Sequence, residues 1–182
     1  MLSDNTKPPI TIIWLKRDLR LRDHEPLFRA VASNERILLL YCWEPSLIEE
    51  PHMSVRHWHF IQQSIDDING QLPEHVNVLT LHMEAVDALA FISRFYTINA
   101  VRSYQEIGLK VTYNRDLRVA NHLNNRRIPF LEAKCGAVIR GLPHRAQWKA
   151  NWEEYFAEST YDYDLKRANW VKWNVHVDIQ KA

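Results

Sequence analysis

Ile10-Thr11-Ile12-Ile13-Trp14-Leu15 and Ile37-Leu38-Leu39-Leu40-Tyr41-Cys42-Trp43 are two runs of β-branched, leucine and aromatic side chains separated by about twenty residues. Neither alternates polar with apolar, so both faces of each strand need cover, which is the pattern of parallel strands sandwiched between helices. Between them Asp23 can cap a helix that tolerates Pro26 in its first turn and carries Leu27, Phe28, Ala30 and Val31 up to Ser33 and Asn34. Strand, helix and strand make a βαβ unit, whose crossover is long enough for a parallel pair.

Outward from this unit the pattern repeats. Ser54 can cap a helix with Val55, Trp58, Ile61, Ile65 and Ile68 at spacings of three and four. A strand over 76–82 follows, then a helix over 84–96 with Val86, Leu89, Ile92 and Phe95 inside, and a strand over 100–105. The spacing next predicts a helix over 112–127 with Leu117, Ala120, His122 and Leu123 across its middle, and a strand over 129–133. Five strands alternating with four helices imply an α/β, doubly wound, Rossmann-like parallel sheet with helices on both faces and the first strand in the centre. After Gly136 the alternation stops: 145–158 places Trp148, Trp152, Tyr155 and Phe156 at helical spacing, and 159–182 shows no period. The expected division is an α/β domain over 1–135, then a helix and linker over 136–182.

Composition is that of a soluble globular chain, with 46% hydrophobic and 25% charged residues. Lys plus Arg number 23 against 22 Asp plus Glu, so no overall field gathers nucleic acid or anionic membrane, and any such contact is local. Cys42 and Cys135, the only cysteines, are too few for a disulfide framework or a thiolate cluster. With no secretory leader pattern and no apolar run near the roughly 20 residues of a membrane helix, the expectation is a cytoplasmic protein with no membrane contact. The histidines include His57 and His59, but a spacing of two splits them across a helix, and no metal site is expected.

Four glycines, none in a G-x-G-x-x-G or G-x-x-x-x-G-K-[ST] arrangement, argue against a dinucleotide dehydrogenase or a P-loop phosphotransferase. A doubly wound sheet still opens a ligand crevice at the carboxyl ends of its strands. The first loop there is Lys16-Arg17-Asp18-Leu19-Arg20-Leu21-Arg22-Asp23, dense in charge straight after a buried strand. It reads equally as a solvated surface run or as a ligand-facing loop, with one arginine expected to pair with Asp18.

The run Trp14-Leu15-Lys16-Arg17-Asp18-Leu19-Arg20-Leu21-Arg22-Asp23-His24-Glu25-Pro26-Leu27 resembles the opening signature of the DNA photolyase and cryptochrome family. The resemblance continues in Tyr41-Cys42-Trp43-Glu44-Pro45, Arg56-His57-Trp58-His59-Phe60, Asn114-Arg115-Asp116 and Gly136-Ala137-Val138-Ile139-Arg140-Gly141-Leu142, and looks like a bacterial photolyase-like subgroup. It implies an amino-terminal domain that holds a light-harvesting antenna pigment, within a flavoprotein that repairs DNA or senses blue light. Flavin adenine dinucleotide (FAD), damaged DNA and the lyase chemistry belong to a carboxyl-terminal helical domain, the partner of this one, so no catalytic residue carries over to this chain. Folate-binding members grip the pterin with a carboxylate shortly before the Arg-Asp pair, where Val111-Thr112-Tyr113 stand here. The resemblance therefore favours a flavin-like, deazaflavin or lumazine pigment over a folate. Lys16, Arg17, Asp18, Cys42, Glu44, Gln105 and Glu106 are the expected pocket, with Glu106 placed to accept from a ring nitrogen or to stand as a solvated loop acid. Trp14, Trp43 and Trp58 are read as core, and Trp148, Trp152, Tyr155 and Phe156 equally as a stripe packed on the domain's own core or as a surface met by a second domain or a dimer contact. Two other readings remain, a scaffold domain with an empty pocket and a free-standing nucleotide-binding α/β protein, the latter weakened by the missing phosphate loop.

Overall fold

The computed structural model describes residues 7–141 and 144–173. Strands and helices alternate as β1 (Pro9–Leu15), α1 (Glu25–Ala32), β2 (Arg36–Cys42), α2 (Pro45–Ile48), α3 (Val55–Gln71), β3 (Leu79–Leu81), α4 (Ala85–Ile92), β4 (Thr97–Tyr104), α5 (Lys110–Asn124) and β5 (Phe130–Ala133). Helix α6 (Trp148–Ala157), a single 3-10 turn (Leu165–Arg167) and β6 (Asn169–Trp170) follow. The sheet runs β3-β2-β1-β4-β5 with all pairings parallel and β1 central, the doubly wound α/β arrangement expected.

The first two strands lack alternation because each is covered twice. Ile10, Ile12 and Trp14 of β1 and Leu38, Leu40 and Cys42 of β2 pack against Ala88, Leu89 and Ile92 of α4 and Val119 and Leu123 of α5. Ile13, Leu15, Ile37, Leu39 and Tyr41 face the other way, toward Leu27 and Ala30 of α1 and Ile65 and Ile68 of α3. Connections change face between β1 and β4, so the crevice of the sheet opens over the carboxyl ends of these strands.

Local departures from the expected elements bear on the site. The N-cap of α1 is His24 and not Asp23: the His24 ring accepts the Leu27 N–H at 3.2 Å, and Asp23 instead takes the left-handed turn before it (φ 49°). Ser54 does cap α3, and its N–H donates to His57 Nδ1 at 3.0 Å. Only Ile65 and Ile68 of α3 are fully buried, while Val55 and Phe60 are exposed, so the first turns of this helix stand off the sheet. The inner face of α5 is Thr112, Arg115, Asp116, Val119 and Leu123, and Leu117 points outward.

The stretch read as an aperiodic linker returns to the body. Tyr163, Leu165 and Trp170 pack on the α1/α3 side, Val171 is buried on the α4/α5 side, and Trp173 sits against Phe91, Phe95 and Tyr96. Strand β6 pairs with Arg36 and Ile37 of β2, whose outer edge β3 covers only at Leu40–Cys42. The tail thus closes a sheet edge that would otherwise present unpaired N–H and C=O groups. Helix α6 is different. It buries none of its residues, and Trp148, Trp152 and Phe156 are exposed, with Trp152 and Phe156 ring centroids 4.7 Å apart. Among the described residues no helix is long and apolar enough to cross a membrane.

Candidate functional site

Three loops meet over the sheet: Lys16–Asp18 after β1, Glu44 after β2 and Glu106 after β4. The first turns of α5 point into the same space, because that helix starts where β4 ends. Arg115 is the hub. Its Nη1 donates to Glu44 Oε2 at 2.8 Å, Nη2 to Glu106 Oε2 at 3.0 Å and Nε to Asp116 Oδ1 at 3.1 Å. Lys16 Nζ donates to Asp116 Oδ2 at 2.8 Å, and both Lys16 and Arg115 hold their charges 4.8 Å from the centroid of the Trp14 ring. Arg140 reaches back from beyond β5, donating through Nε and Nη2 to the Glu106 carbonyl at 2.9 and 2.6 Å and lying 3.4 Å from Glu132. The result is a layer of interlocked ions resting on an indole face, where cation–π attraction adds to the ion pairs.

Electrostatics follow from this packing. Burial works against the Arg115 charge, but Glu44, Asp116 and Glu106 prevail and raise its pKa, keeping it protonated. Burial pushes the Glu44 carboxyl up from its ordinary value, and the bonds from Arg115 and the Ala85 N–H recover only part of that rise. Burial likewise drives the Cys42 thiol well above its usual value, with Glu44 reinforcing it, so Cys42 is an inert packing group.

Asp18 does not pair with an arginine of its loop. Its Oδ2 lies 2.6 Å from His24 Nε2 and its Oδ1 accepts the Lys16 N–H at 3.0 Å, while Arg20 bonds the carbonyls of Arg22 and Asp23. Since His24 Nδ1 accepts from Leu27, the ring donates to Asp18 through Nε2, tying the charged loop to the start of α1. Burial opposes ionisation of Asp18, yet the His24 and Lys16 bonds outweigh it and hold the carboxyl below its ordinary value. A carboxylate depressed in this way lends stability above the unfolded value of about 3.9 and loses it as the pH falls through the folded one. Asp18→Asn is therefore expected to lower thermal stability at pH 7 and to narrow its gap to the parent chain below about pH 4. Melts recorded from pH 3 to 7 check this, and a gap that stays constant would remove the role assigned to Asp18.

The expected pocket residues come together, divided between two adjoining cavities. One, of about 380 Å³, is lined by Lys16, Arg17, Cys42, Glu44 and Glu106 over a floor that includes Trp14, Tyr41 and Ile61. The other, of about 320 Å³, takes Lys16, Arg17, Asp18, Gln105 and Glu106 and is walled by Tyr155 and Phe156 of α6. The space beneath the raised start of α3 belongs to the first cavity, through His57, Phe60 and Ile61. Thr112 also lines it, with its hydroxyl turned to the Leu109 carbonyl, so the turn before Arg115 offers a small alcohol there and no carboxylate. Arg115, Asp116 and Arg140 are side chains of the crevice that hydrophobic periodicity did not select, although Arg115-Asp116 and Arg140 stand inside the resembling motifs. Among the described residues, no group of three or more His, Cys, Asp or Glu side chains is arranged to hold a metal ion.

The fold and the crevice together are those of a doubly wound α/β domain with a polar, ion-lined opening at the carboxyl ends of its strands. The DNA photolyase family model matches residues 11–140, and the chain belongs to that family, as its amino-terminal α/β domain. Cryptochrome DASH of Synechocystis sp. is 36% identical over 77 residues, 40% of this chain and 16% of that protein. The chloroplastic/mitochondrial cryptochrome DASH of Solanum lycopersicum is 28% identical over 104 residues, 53% of this chain and 18% of that protein. The aligned part thus spans less than a fifth of these relatives. Among solved structures, the Synechocystis sp. PCC6803 cryptochrome superposes with a TM-score of 0.67 at 21% identity, over 81% of this chain and 34% of that one. An archaeal photolyase from Sulfolobus tokodaii, solved with two FAD molecules, gives 0.63 at 20% identity over 82% and 35%. A bacterial class III photolyase from Agrobacterium tumefaciens gives 0.59 at 19% identity over 75% and 28%. At these identities the superpositions speak for the fold.

Proposed function

We propose that this domain, residues 1–135 with the segment that follows, holds an antenna pigment in the crevice between the loops after β1, β2 and β4 and serves a photolyase- or cryptochrome-type flavoprotein. The observation that carries this reading is Glu106: its side chain is 3% exposed, and Oε1, at the wall of a cavity of mixed apolar and charged lining, accepts no aligned hydrogen bond among the described residues, Arg17 Nη2 only approaching it to 3.2 Å. A buried carboxylate oxygen left without a donor is costly, and a ring N–H would complete it. The first cavity has the size and the mixed lining of small-molecule sites. Tyr41, Ile61 and Phe60 give a conjugated ring its contact area, with the ion layer over Trp14 bordering it. When bound, the pigment supplies absorption of blue or near-ultraviolet light and passage of the excitation to FAD in a helical domain, which also meets DNA. The exposed aromatics of α6 offer that domain, or a second copy of this chain, a surface to pack on.

Flavin-like, deazaflavin and lumazine rings suit the site better than a folate held from α5, given Thr112 at the matching turn. The reading of an empty scaffold draws support from the ion layer, since Arg115, Lys16 and Arg140 are satisfied by protein partners alone. The two readings separate in one experiment. The chain, purified from a host rich in flavins, is expected to carry a visible-absorbing pigment identifiable by mass after extraction, and Glu106→Ala is expected to lower its occupancy about tenfold. A folded wild-type chain that stays colourless when offered riboflavin, lumazine and deazaflavin would favour the scaffold.

A further inference from the structure

We infer that the outer face of α5, from Arg118 to Arg127, is a contact surface for the phosphate backbone of duplex DNA, independent of lesion, pigment and flavin. The face belongs to the α/β domain itself and lies at the end of the helix away from the crevice.

A helix face that is only solvated ordinarily mixes the two signs of charge. Helix α3 exposes Arg56 together with Asp66 and Asp67, and α6 exposes Lys149, paired with Glu153 at 3.6 Å, beside Glu154. Helix α5 departs from this pattern. Its one acid, Asp116, is buried against Lys16 and Arg115, so the exposed face offers Arg118, Asn121 and Asn124 and continues past the helix end into Asn125, Arg126 and Arg127. Asparagine is a weak helix former, and glutamate or lysine would serve an exposed helical position better. Its amide, like a guanidinium, donates to phosphate oxygens. Arg127 adds a second cost, since it stands at φ 57° in the left-handed region, which glycine adopts more readily. Cations near a helix carboxyl end also complement its dipole, but that explains neither the missing acids nor an arginine in a strained turn.

The acids nearest the face stand at its upstream end, on α4. Glu84 Oε2 lies 3.5 Å from Arg118 Nη2, although the Ser46 N–H and hydroxyl already hold that carboxylate, and Asp87 shares a shallow groove with Arg118 and Asn121. The downstream end is free of them. Arg126 is steadied by His122, whose Nδ1 and carbonyl accept from Nη1 at 3.2 and 3.3 Å, and among the described residues neither Arg126 nor Arg127 has an acidic partner. Helices α4 and α5 cross the sheet in the same direction, so the exposed Arg94 after α4, and Lys7, which donates to the Ser93 carbonyl at 2.7 Å, add positive charge at the same edge. Glu35, also at that edge, is taken by Arg102 through bonds of 3.0 and 2.6 Å. From Arg118 to Arg127 the face is a rod about 14 Å long without an exposed aromatic ring, so it gives unpaired bases no stacking platform. A duplex suits it, because phosphate charge recurs about every 1.7 Å along the axis.

Fluorescence anisotropy in the dark, with a labelled undamaged duplex of about 20 base pairs at about 50 mM salt, tests the surface on the whole chain. Saturable binding is expected with a Kd on the order of 10 μM and a slope of log affinity against log salt of about −3. Asn121→Glu puts an acid on the face while improving helix propensity, and Arg127→Gly removes a charge while relieving the turn. Both are expected to keep the wild-type melting temperature within a few degrees and to bind about fivefold more weakly, with the Arg127→Gly slope shallower by about one. Arg56→Ala, which removes the same charge from α3, should change binding by less than about twofold. Absence of saturable binding, wild-type affinity in both face variants, or an equal loss in Arg56→Ala would overturn the assignment. So would tighter binding of the single strand of the same sequence, or tighter binding of phosphatidylserine vesicles with the same response to the variants, which would give the face to a membrane surface.

Discussion

Arg115→Leu is expected to melt lower than the parent chain by on the order of 10 °C, or to fail to accumulate as folded protein. Leucine fills much of the space but strips the carboxylates of Glu44, Glu106 and Asp116 of the guanidinium they share. Among the described residues Asp116 keeps Lys16 and the more distant Arg140, Glu44 keeps the Ala85 N–H, and Glu106 keeps the loose approach of Arg17. Breaking a buried ion pair by removing one partner costs about 3–5 kcal/mol, a large part of the roughly 5–15 kcal/mol that holds a domain folded. Glu44, whose carboxyl burial already pushes up, then loses the guanidinium that opposed that rise, so its folded pKa should climb further above the unfolded one. Stability of the variant is therefore retained below the unfolded values and lost as the pH rises, so its deficit should be smaller at pH 5 than at pH 8. Thermal melts followed by circular dichroism at the two pH values measure this, and adding Glu44→Gln and Glu106→Gln should return part of the loss at pH 8. A variant melting within a few degrees of wild type at both pH values would show that the layer is decoration on a fold held elsewhere.

The same residue shows where sequence reading succeeds and where it fails. Strands β1 and β2 were legible because burial on both faces leaves an unbroken apolar run, and no surface segment has reason to look like that. The loop after β1 was legible as a place, since the sheet order follows from alternating elements and fixes where the crevice must open. Helix α5 was misread for a physical reason. A search for apolar spacing assumes that the inner face of a helix is greasy, whereas this one buries Thr112, Arg115 and Asp116 in the turns that lean over the site and turns apolar only at Val119 and Leu123. Of the residues read across its middle, Leu117 is exposed and Leu123 is buried. His24 was hidden similarly, because an aspartate beside it was the more ordinary cap. In the tail, contacts change partner every few residues: Tyr163 meets Phe28, Val171 joins the other core and Trp173 meets Phe91, Phe95 and Tyr96. No single period can encode a strap that crosses several elements.

Ending the chain after Glu158 tests that strap and is expected to give a protein that is largely insoluble or melts lower by on the order of 10 °C or more. Three losses coincide. The outer edge of β2 at Arg36 and Ile37 is left unpaired, since β3 reaches only Leu40–Cys42, and an open edge beside apolar residues invites strand pairing between molecules. Val171, 2% exposed, leaves the α4/α5 core, where burying a side chain of its size is worth about 1.5–3 kcal/mol. Phe91, Phe95 and Tyr96 lose their cover at Trp173. The damage should reach the site as well, because the Tyr161 N–H bonds Asp23 Oδ1 and the Tyr163 hydroxyl bonds the Leu21 carbonyl, fastening the loop that begins at Lys16. Pigment occupancy should therefore fall in any truncated protein that remains soluble. Val171→Asp isolates the packing part: it keeps the tail but places an unpaired charge in the core, and is expected to cost at least about 3 kcal/mol in urea titrations. If the truncated chain instead stays soluble with an unchanged melting temperature and pigment content, residues 159–173 are a linker, and the α/β domain ends where the alternation of strands and helices does.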